Sequence, residues 1–218
     1  MRTPPLPRWT VPFAVAPFRW EEIPGRHLVR ATDGGPAEQP TTVRAAWTAD
    51  GLHVRFECQD RHAWGTMTRR DDPIYEEEAV EVFLASGTED PTTYLEFEVS
   101  PHGVLWDGRV HNPTSRRAEM LSDAGWDCPG VRWDAGCLGT EQQDWWAELS
   151  LPWTGIAPEV SAPPVLWRAN FYRIERPAGG VPEFTAWSPT LVTPADFHKP
   201  ARFGSLALAP AQGISGSP

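Results

Sequence analysis

Long apolar runs are missing from this 218-residue chain, and so is any sustained helical periodicity. No stretch could span a membrane as an apolar helix. Lysine is nearly absent: Lys199 is the only one, and 29 acidic residues outnumber 19 basic ones for a formal net charge of −10. Nucleic acid and anionic membrane surfaces both need a basic face, so this balance argues against either as a partner. It suits neutral or cationic ligands, or calcium, and equally an ordinary soluble acidic protein. Cysteine is scarce and odd in number. Cys58, Cys128 and Cys137 make neither a disulfide framework nor a zinc pattern, and Cys58, closing an apolar alternation, reads as a small hydrophobe. The histidines show no His-x-His or His-x-x-x-His spacing. No Gly-x-Ser-x-Gly, phosphate loop or dinucleotide fingerprint occurs, so no organic cofactor is expected. In the stretch Met1 to Trp20, Pro4, Pro5, Pro7, Pro12 and Pro17 break up any apolar run. With no evident signal peptide, the expectation is a cytoplasmic protein, or an extracellular one if a leader has been removed.

Helix breakers, by contrast, are plentiful. The 24 prolines and 18 glycines are spread along the whole chain, and a proline inside a helix costs about 3 kcal/mol. Short strands and turns are the alternative. Residues 1–25 read as a proline-rich lead-in laid across a sandwich edge through Trp9, Phe13, Phe18 and Trp20. Strand signals follow at Thr42–Trp47, and then at Leu52–Gln59, where Leu52, Val54, Phe56 and Cys58 alternate with polar residues, the period of a half-buried strand. The Asp50-Gly51 pair between the two is a hairpin turn. Further strands are predicted over Ala79–Ala85, Thr93–Ser100, Val104–Gly108, Gly130–Ala135, Trp145–Leu151, Leu166–Ile174 and Phe203–Leu208, with a turn at Asp134-Ala135-Gly136. The sum is an all-β chain, an antiparallel β-sandwich of jelly-roll or immunoglobulin-like kind. It makes a single domain over residues 26–209, with residues 210–218 as a disordered tail.

The placement of the carboxylates is the most informative pattern. Glu81, Glu96 and Glu98 all fall opposite the apolar positions of their strands. If those strands are neighbours, several acids line one sheet face, where like charges repel unless arginine, a cation or water intervenes. His53, Arg55, Arg168, Asn170 and Tyr172 are candidates for the same face. Such a face is either ordinary solvated surface or a polar groove able to bond sugar hydroxyls. Of the 12 tryptophans, most belong in the core. Trp64, Trp126, Trp133 and Trp187 lie in predicted loops, where rings could serve as platforms for a pyranose. The acidic run Asp71, Asp72, Glu76, Glu77 and Glu78 lacks the spacing of an EF-hand.

Several segments, taken in order, resemble the family 9 carbohydrate-binding modules and their DOMON-like relatives. They are Leu52–Asp60, Pro73–Leu84, Trp167–Ile174, Ala186–Pro189, Asp196–Pro200 and Phe203-Gly204, together covering most of residues 40–208. The resemblance implies a non-catalytic module in which two aromatic rings clamp a terminal sugar while polar groups bond its hydroxyls. Carried over by position, the clamp is Tyr75 and Phe197. Asp60, Glu81, Glu98, Asn170, Arg173 and His198 are its polar partners. The chain departs from the family in having smaller rings than tryptophan at the clamp, and Glu98 where the family pattern has an arginine. The resemblance also implies structural calcium. Three other readings remain open at this point. One is a carbohydrate-active enzyme using Glu81 and Glu98 as an acid/base pair with His198 assisting. Another is a haem binder, for which Met67 and Met120 are the internal methionines. The last is an association module whose loop tryptophans form an apolar contact patch.

Overall fold

The computed structural model describes residues 3–138, 143–177 and 180–211. The tail predicted to be disordered lies, from residue 212 onward, outside the described residues. Among the described residues fourteen strands are found: β1 (Arg8–Val11), β2 (Arg26–His27), β3 (Val29–Arg30), β4 (Thr41–Trp47), β5 (Gly51–Cys58), β6 (Ala79–Ser86), β7 (Thr93–Val99), β8 (Leu105–His111), β9 (Leu121–Asp123), β10 (Arg132–Leu138), β11 (Asp144–Pro152), β12 (Leu166–Glu175), β13 (Glu183–Ala186) and β14 (Gly204–Leu208). Among the described residues the only α-helix is one turn, Trp153–Ile156, as the spread of prolines requires.

The strands form two sheets. The larger runs β1-β14-β12-β6-β7-β8-β9, with β13 and β3 branching from β12, and the smaller runs β10-β11-β5-β4-β2. Every pairing is antiparallel except the parallel edge pair β1–β14. The chain is therefore the antiparallel β-sandwich that the alternation predicts. Inward-facing Val80, Val82, Leu84, Phe97 and Phe171 of the large sheet meet Val54, Phe56, Trp145 and Leu149 of the small one in a single buried core. At the predicted hairpin, Thr48 N–H donates to Gly51 C=O at 2.9 Å. The Asp134-Ala135-Gly136 turn is not formed: these residues lie inside β10, where Gly136 pairs with Trp146.

The large sheet is unusual in being covered on both faces. Every residue of β12 except Leu166 is buried, although the inter-sheet core needs only alternate ones. The other face carries a second apolar cluster of Phe83, Tyr94, Tyr172, Ile174, Phe197 and Phe203. The segment from Phe184 to Phe203 folds back over that face. It covers one part of it and leaves a cleft over the rest.

Candidate functional site

Antiparallel register places the acids. Tyr172 of β12 pairs with Glu81 of β6, Glu81 with Glu98 of β7, and Glu98 with Trp106 of β8. One row of side chains thus crosses four strands on one face, because directly opposed residues share a face. Glu96, two residues before Glu98, sits in the next row opposite Phe83 and Gly108. A Cβ at Gly108 would come within 2.7 Å of Trp106 Cη2, so glycine leaves the room that the indole occupies. These rows floor a cleft of about 430 Å³, within the range of small-ligand sites. Its walls include Tyr75, Trp106, Phe184, Phe197, His198 and Arg117.

The two predicted clamp rings both line this cleft, but they are not equivalent. Tyr75 rides on a 3₁₀ turn anchored by buried Ile74. It is 42% exposed and meets Trp106 edge-on, with centroids 6.2 Å apart at 89°. Phe197 is only 6% exposed and stacks on Tyr172 at 4.1 Å and 15°. One face of Phe197 is thereby spent on the protein, and Trp106, which the sequence reading left out, stands in the row beside Glu98.

Burial governs the acidic floor. Glu81, Glu96 and Glu98 are each nearly inaccessible, and their carboxylates can bring one oxygen each to within 4.8 Å of one another. Burial pushes Glu96 up to about 8, its bond with Glu98 and the charge of Arg117 opposing. It raises Glu81 well above the carboxylate range, with Glu96 adding to the effect. Glu98 is raised likewise, by burial first and then by the Glu81 and Glu96 charges. His198 is buried too, and burial with help from Arg117 lowers it to about 3, so its ring is neutral. Its Nδ1 lies 2.6 Å from the Tyr94 hydroxyl, and its Nε2 is 3.8 Å from Glu96, beyond hydrogen-bond reach.

Asp60, Arg173 and Asn170, expected at the site, lie elsewhere. Arg173 continues the inward face of β12 past Phe171 and closes one end of the sandwich. Its guanidinium pairs with Asp60 at 2.7 Å and with Glu175, and donates to Gln59 C=O at 2.8 Å. Asp60 also accepts from Trp145 Nε1 at 3.1 Å. Asn170 is fully buried, donating to the Tyr172 hydroxyl and to Ser188 C=O, both at 2.8 Å. It fixes the covering segment rather than a ligand. His53 and Arg55 belong to the small sheet, so of the proposed face-mates only Arg168, Asn170 and Tyr172 share the face of Glu81. The tryptophans expected in loops form no exposed patch: Trp187 is buried, Trp126 packs against the core as does Trp133, which lies within β10 and not in a loop, and Trp64 donates to Arg176 C=O at 2.6 Å. Met67 packs with Ile74, Val104 and Trp106.

A larger depression of about 840 Å³ lies beside the Asp60–Arg173 network, lined by Arg30, Arg61, Glu175 and Glu183 among others. Two of its charges are engaged, Arg30 by Asp33 at 2.9 Å and Glu183 by the Glu38 and Gln39 amides. Phe184 is the one aromatic ring lining it among the described residues. The acidic cleft is the better-equipped site.

A family model described as Carbohydrate-binding family 9 matches residues 37–208. The chain belongs to this family. A fungal relative named "Extracellular protein", from Arthroderma benhamiae, is 35% identical over 153 residues, covering 63% of this chain and 66% of its own length. Three solved structures share the fold. A candidate carbohydrate-binding protein from Bacteroides uniformis matches with a TM-score of 0.73 at 18% identity, over 93% of this chain and 99% of that one. A family 9 module from Caldicellulosiruptor kristjanssonii in complex with cellotriose gives 0.63 at 14% identity, over 97% and 100%. The same organism's module in complex with glucose gives 0.62 at 13%, over 96% and 100%. The expected cytoplasmic location gains no support from the fungal relative. Among the described residues no helix is long and apolar enough to cross a membrane.

The family resemblance also implies calcium, which the acidic clusters allow to be tested. Among the described residues three carboxylate trios have suitable spacing: Asp60, Glu78 and Glu175; Asp71, Asp107 and Asp127; and the cleft trio. The first already holds Arg173 between Asp60 and Glu175. In the second, Arg70 bridges Asp107 at 2.6 Å and Asp127 at 2.9 Å. A hard cation wants six to eight oxygens, and a guanidinium already sits where it would go, so neither trio fits calcium.

Proposed function

We propose that the protein is a non-catalytic saccharide-binding module, and that the terminal sugar of its ligand enters the cleft over Glu81, Glu96 and Glu98. The observation that carries this reading is the cross-strand row Glu81–Glu98–Trp106 with Tyr75 exposed at its rim. Carboxyl groups accept bonds from sugar hydroxyls, and when protonated they also donate. The Tyr75 face offers the apolar surface that a pyranose presents its C–H groups to. Membership of the family supports the reading, as do the cellotriose and glucose complexes of similarly folded modules. A glycosidase needs two carboxyl groups flanking the scissile bond. Here they lie side by side on one floor, which favours binding over catalysis. We further infer an extracellular site of action, in keeping with the name of the fungal relative. Cys58 and Cys128 are buried thiols that burial pushes up to about 12, which suits an oxidising surrounding.

The test is a glycan screen followed by tryptophan-fluorescence titration of the hits, with glucose and cellotriose included. Covering about 60 Å² of ring face at about 25 cal/mol per Å² is worth about 1.5 kcal/mol, or roughly tenfold in affinity. Tyr75→Ala is therefore expected to weaken binding at least tenfold without unfolding the protein, and Trp106→Ala to weaken it further. A folded wild type that binds no saccharide would sink the proposal.

A further inference from the structure

We infer that the sugar this cleft accepts is cationic: an amino sugar whose ammonium group is received by Glu81, Glu96 and Glu98. The inference rests on the saccharide reading of the same cleft and names its ligand class. The other two carboxylate trios each contain an arginine in direct contact, Arg173 in one and Arg70 in the other. The cleft trio has none. Among the described residues no arginine or lysine pairs with Glu81, Glu96 or Glu98. The nearby guanidinium of Arg117 turns instead to Asp196 at 3.4 Å and is 60% exposed. Two trios thus hold a guanidinium in direct contact, while the third has only the more distant charge of Arg117 beside it and opens into a cavity.

An independent observation points the same way. Glu98 is 1% exposed, lines the cleft, and its Oε2 is buried without a hydrogen-bond partner. An orphaned buried acceptor of this kind costs free energy until a donor arrives. The geometry suits an ammonium group. Three oxygens no more than 4.8 Å apart put their common centre within about 2.8 Å of each, in reach of N⁺–H···O⁻ bonds, and an ammonium offers three donors. The walls are aromatic, with Tyr75, Trp106 and Phe184, and ring faces attract organic cations. A calcium ion would instead need several more oxygens than the trio gives. Since burial keeps protons on the trio, with Glu96 at about 8, the arriving charge expels a proton.

Calorimetric titration of the full chain at about pH 6 separates the outcomes. The probes are the fully deacetylated glucosamine trimer, the N-acetylglucosamine trimer, cellotriose, and calcium chloride alone. The glucosamine trimer is expected to bind at least tenfold tighter than either neutral trimer. Its binding should release a proton, read from the heats in two buffers of different ionisation enthalpy. Glu98→Gln, and separately Glu81→Gln, should bring the ratio between glucosamine trimer and cellotriose close to one. Equal affinity for the charged and neutral trimers overturns the inference and leaves saccharide binding standing. Binding of no trimer by folded protein overturns both. Calcium binding in the absence of sugar that Glu98→Gln abolishes makes the trio a metal site and likewise overturns it.

Discussion

Arg173→Met is expected to destabilise the protein by about 3–5 kcal/mol, without changing the denaturant slope. The side chain is almost wholly buried and holds Asp60 at 2.7 Å and Glu175. It lies over the Trp145 ring at 5.8 Å and donates to Gln59 C=O. Removing the guanidinium leaves Asp60 and Glu175 facing Glu78 across a buried sandwich end. That end is already strained for charge: burial, with Glu175 and Asp60 adding, pushes Glu78 to about 9. Glu175 is pushed to about 7 by burial, against the pull of Arg173. Breaking a buried pair from one side costs far more than the pair is worth, because the surviving charge stays desolvated. The triple change Arg173→Met, Asp60→Asn, Glu175→Gln should accordingly recover a large part of the loss, a coupling that a mutant cycle measures. A loss below about 1 kcal/mol for the single variant would mean that water reaches this end of the core. The experiment also separates two roles for the same residues. If Asp60 and Arg173 served the ligand, their substitution would weaken binding at unchanged stability.

These residues show where a sequence stops speaking. Strand identity is local: Leu52 to Cys58 alternates with period two, and β5 forms over Gly51–Cys58. The short strands β1, β2, β3, β9 and β13 run two to four residues, too few for an alternation to register. β10 was cut short because Asp134-Ala135-Gly136 has turn composition, yet Gly136 is there for a different reason: a Cβ would come within 3.2 Å of the Trp146 ring. At the site, the facing of Glu81 and Glu98 was legible from the same alternation. Trp106 was legible too, since a turn at Pro101-His102-Gly103 that pairs Val99 with Leu105 must pair Glu98 with Trp106. What alternation cannot supply is which end of the sandwich an inward-facing polar residue reaches. Arg173 and Asn170 are three residues apart on β12 and face opposite ways. One meets Asp60 from the loop that follows β5 of the other sheet, and the other ties down Ser188. The stacking of Phe197 on Tyr172 likewise depends on how the covering segment folds back, which no local pattern encodes.

Thermal stability is expected to fall as pH rises from about 5 to 9, opposite to the trend of a protein whose acids are paired. An unfolded glutamate titrates near 4.3. Glu175, Glu96 and Glu78 titrate at about 7, 8 and 9 in the folded chain, with Glu81 and Glu98 raised as well. Between about 4.3 and these values the folded chain holds protons that the unfolded chain has released, so each step up in pH favours unfolding. This contribution is complete below about pH 4.3 and is lost as pH climbs through the folded values. Acids with lowered values act in the other direction. Asp196, held down by its bond to Lys199 against burial, loses its contribution as pH drops below the ordinary carboxylate range. The stability maximum should therefore lie near pH 5. One pKa unit corresponds to about 1.36 kcal/mol, and in a chain of this size each kcal/mol moves Tm by roughly 2–4 °C, so a fall of several degrees from pH 5.5 to 8.5 is the expected result. Glu96→Gln should flatten the slope by removing one titrating group while keeping its size. A Tm that stays level or rises over that range would mean that the cleft acids are ionised in the folded protein. The floor would then have to be hydrated or already balanced by a bound cation, and the charge that an incoming sugar is proposed to bring would no longer be missing.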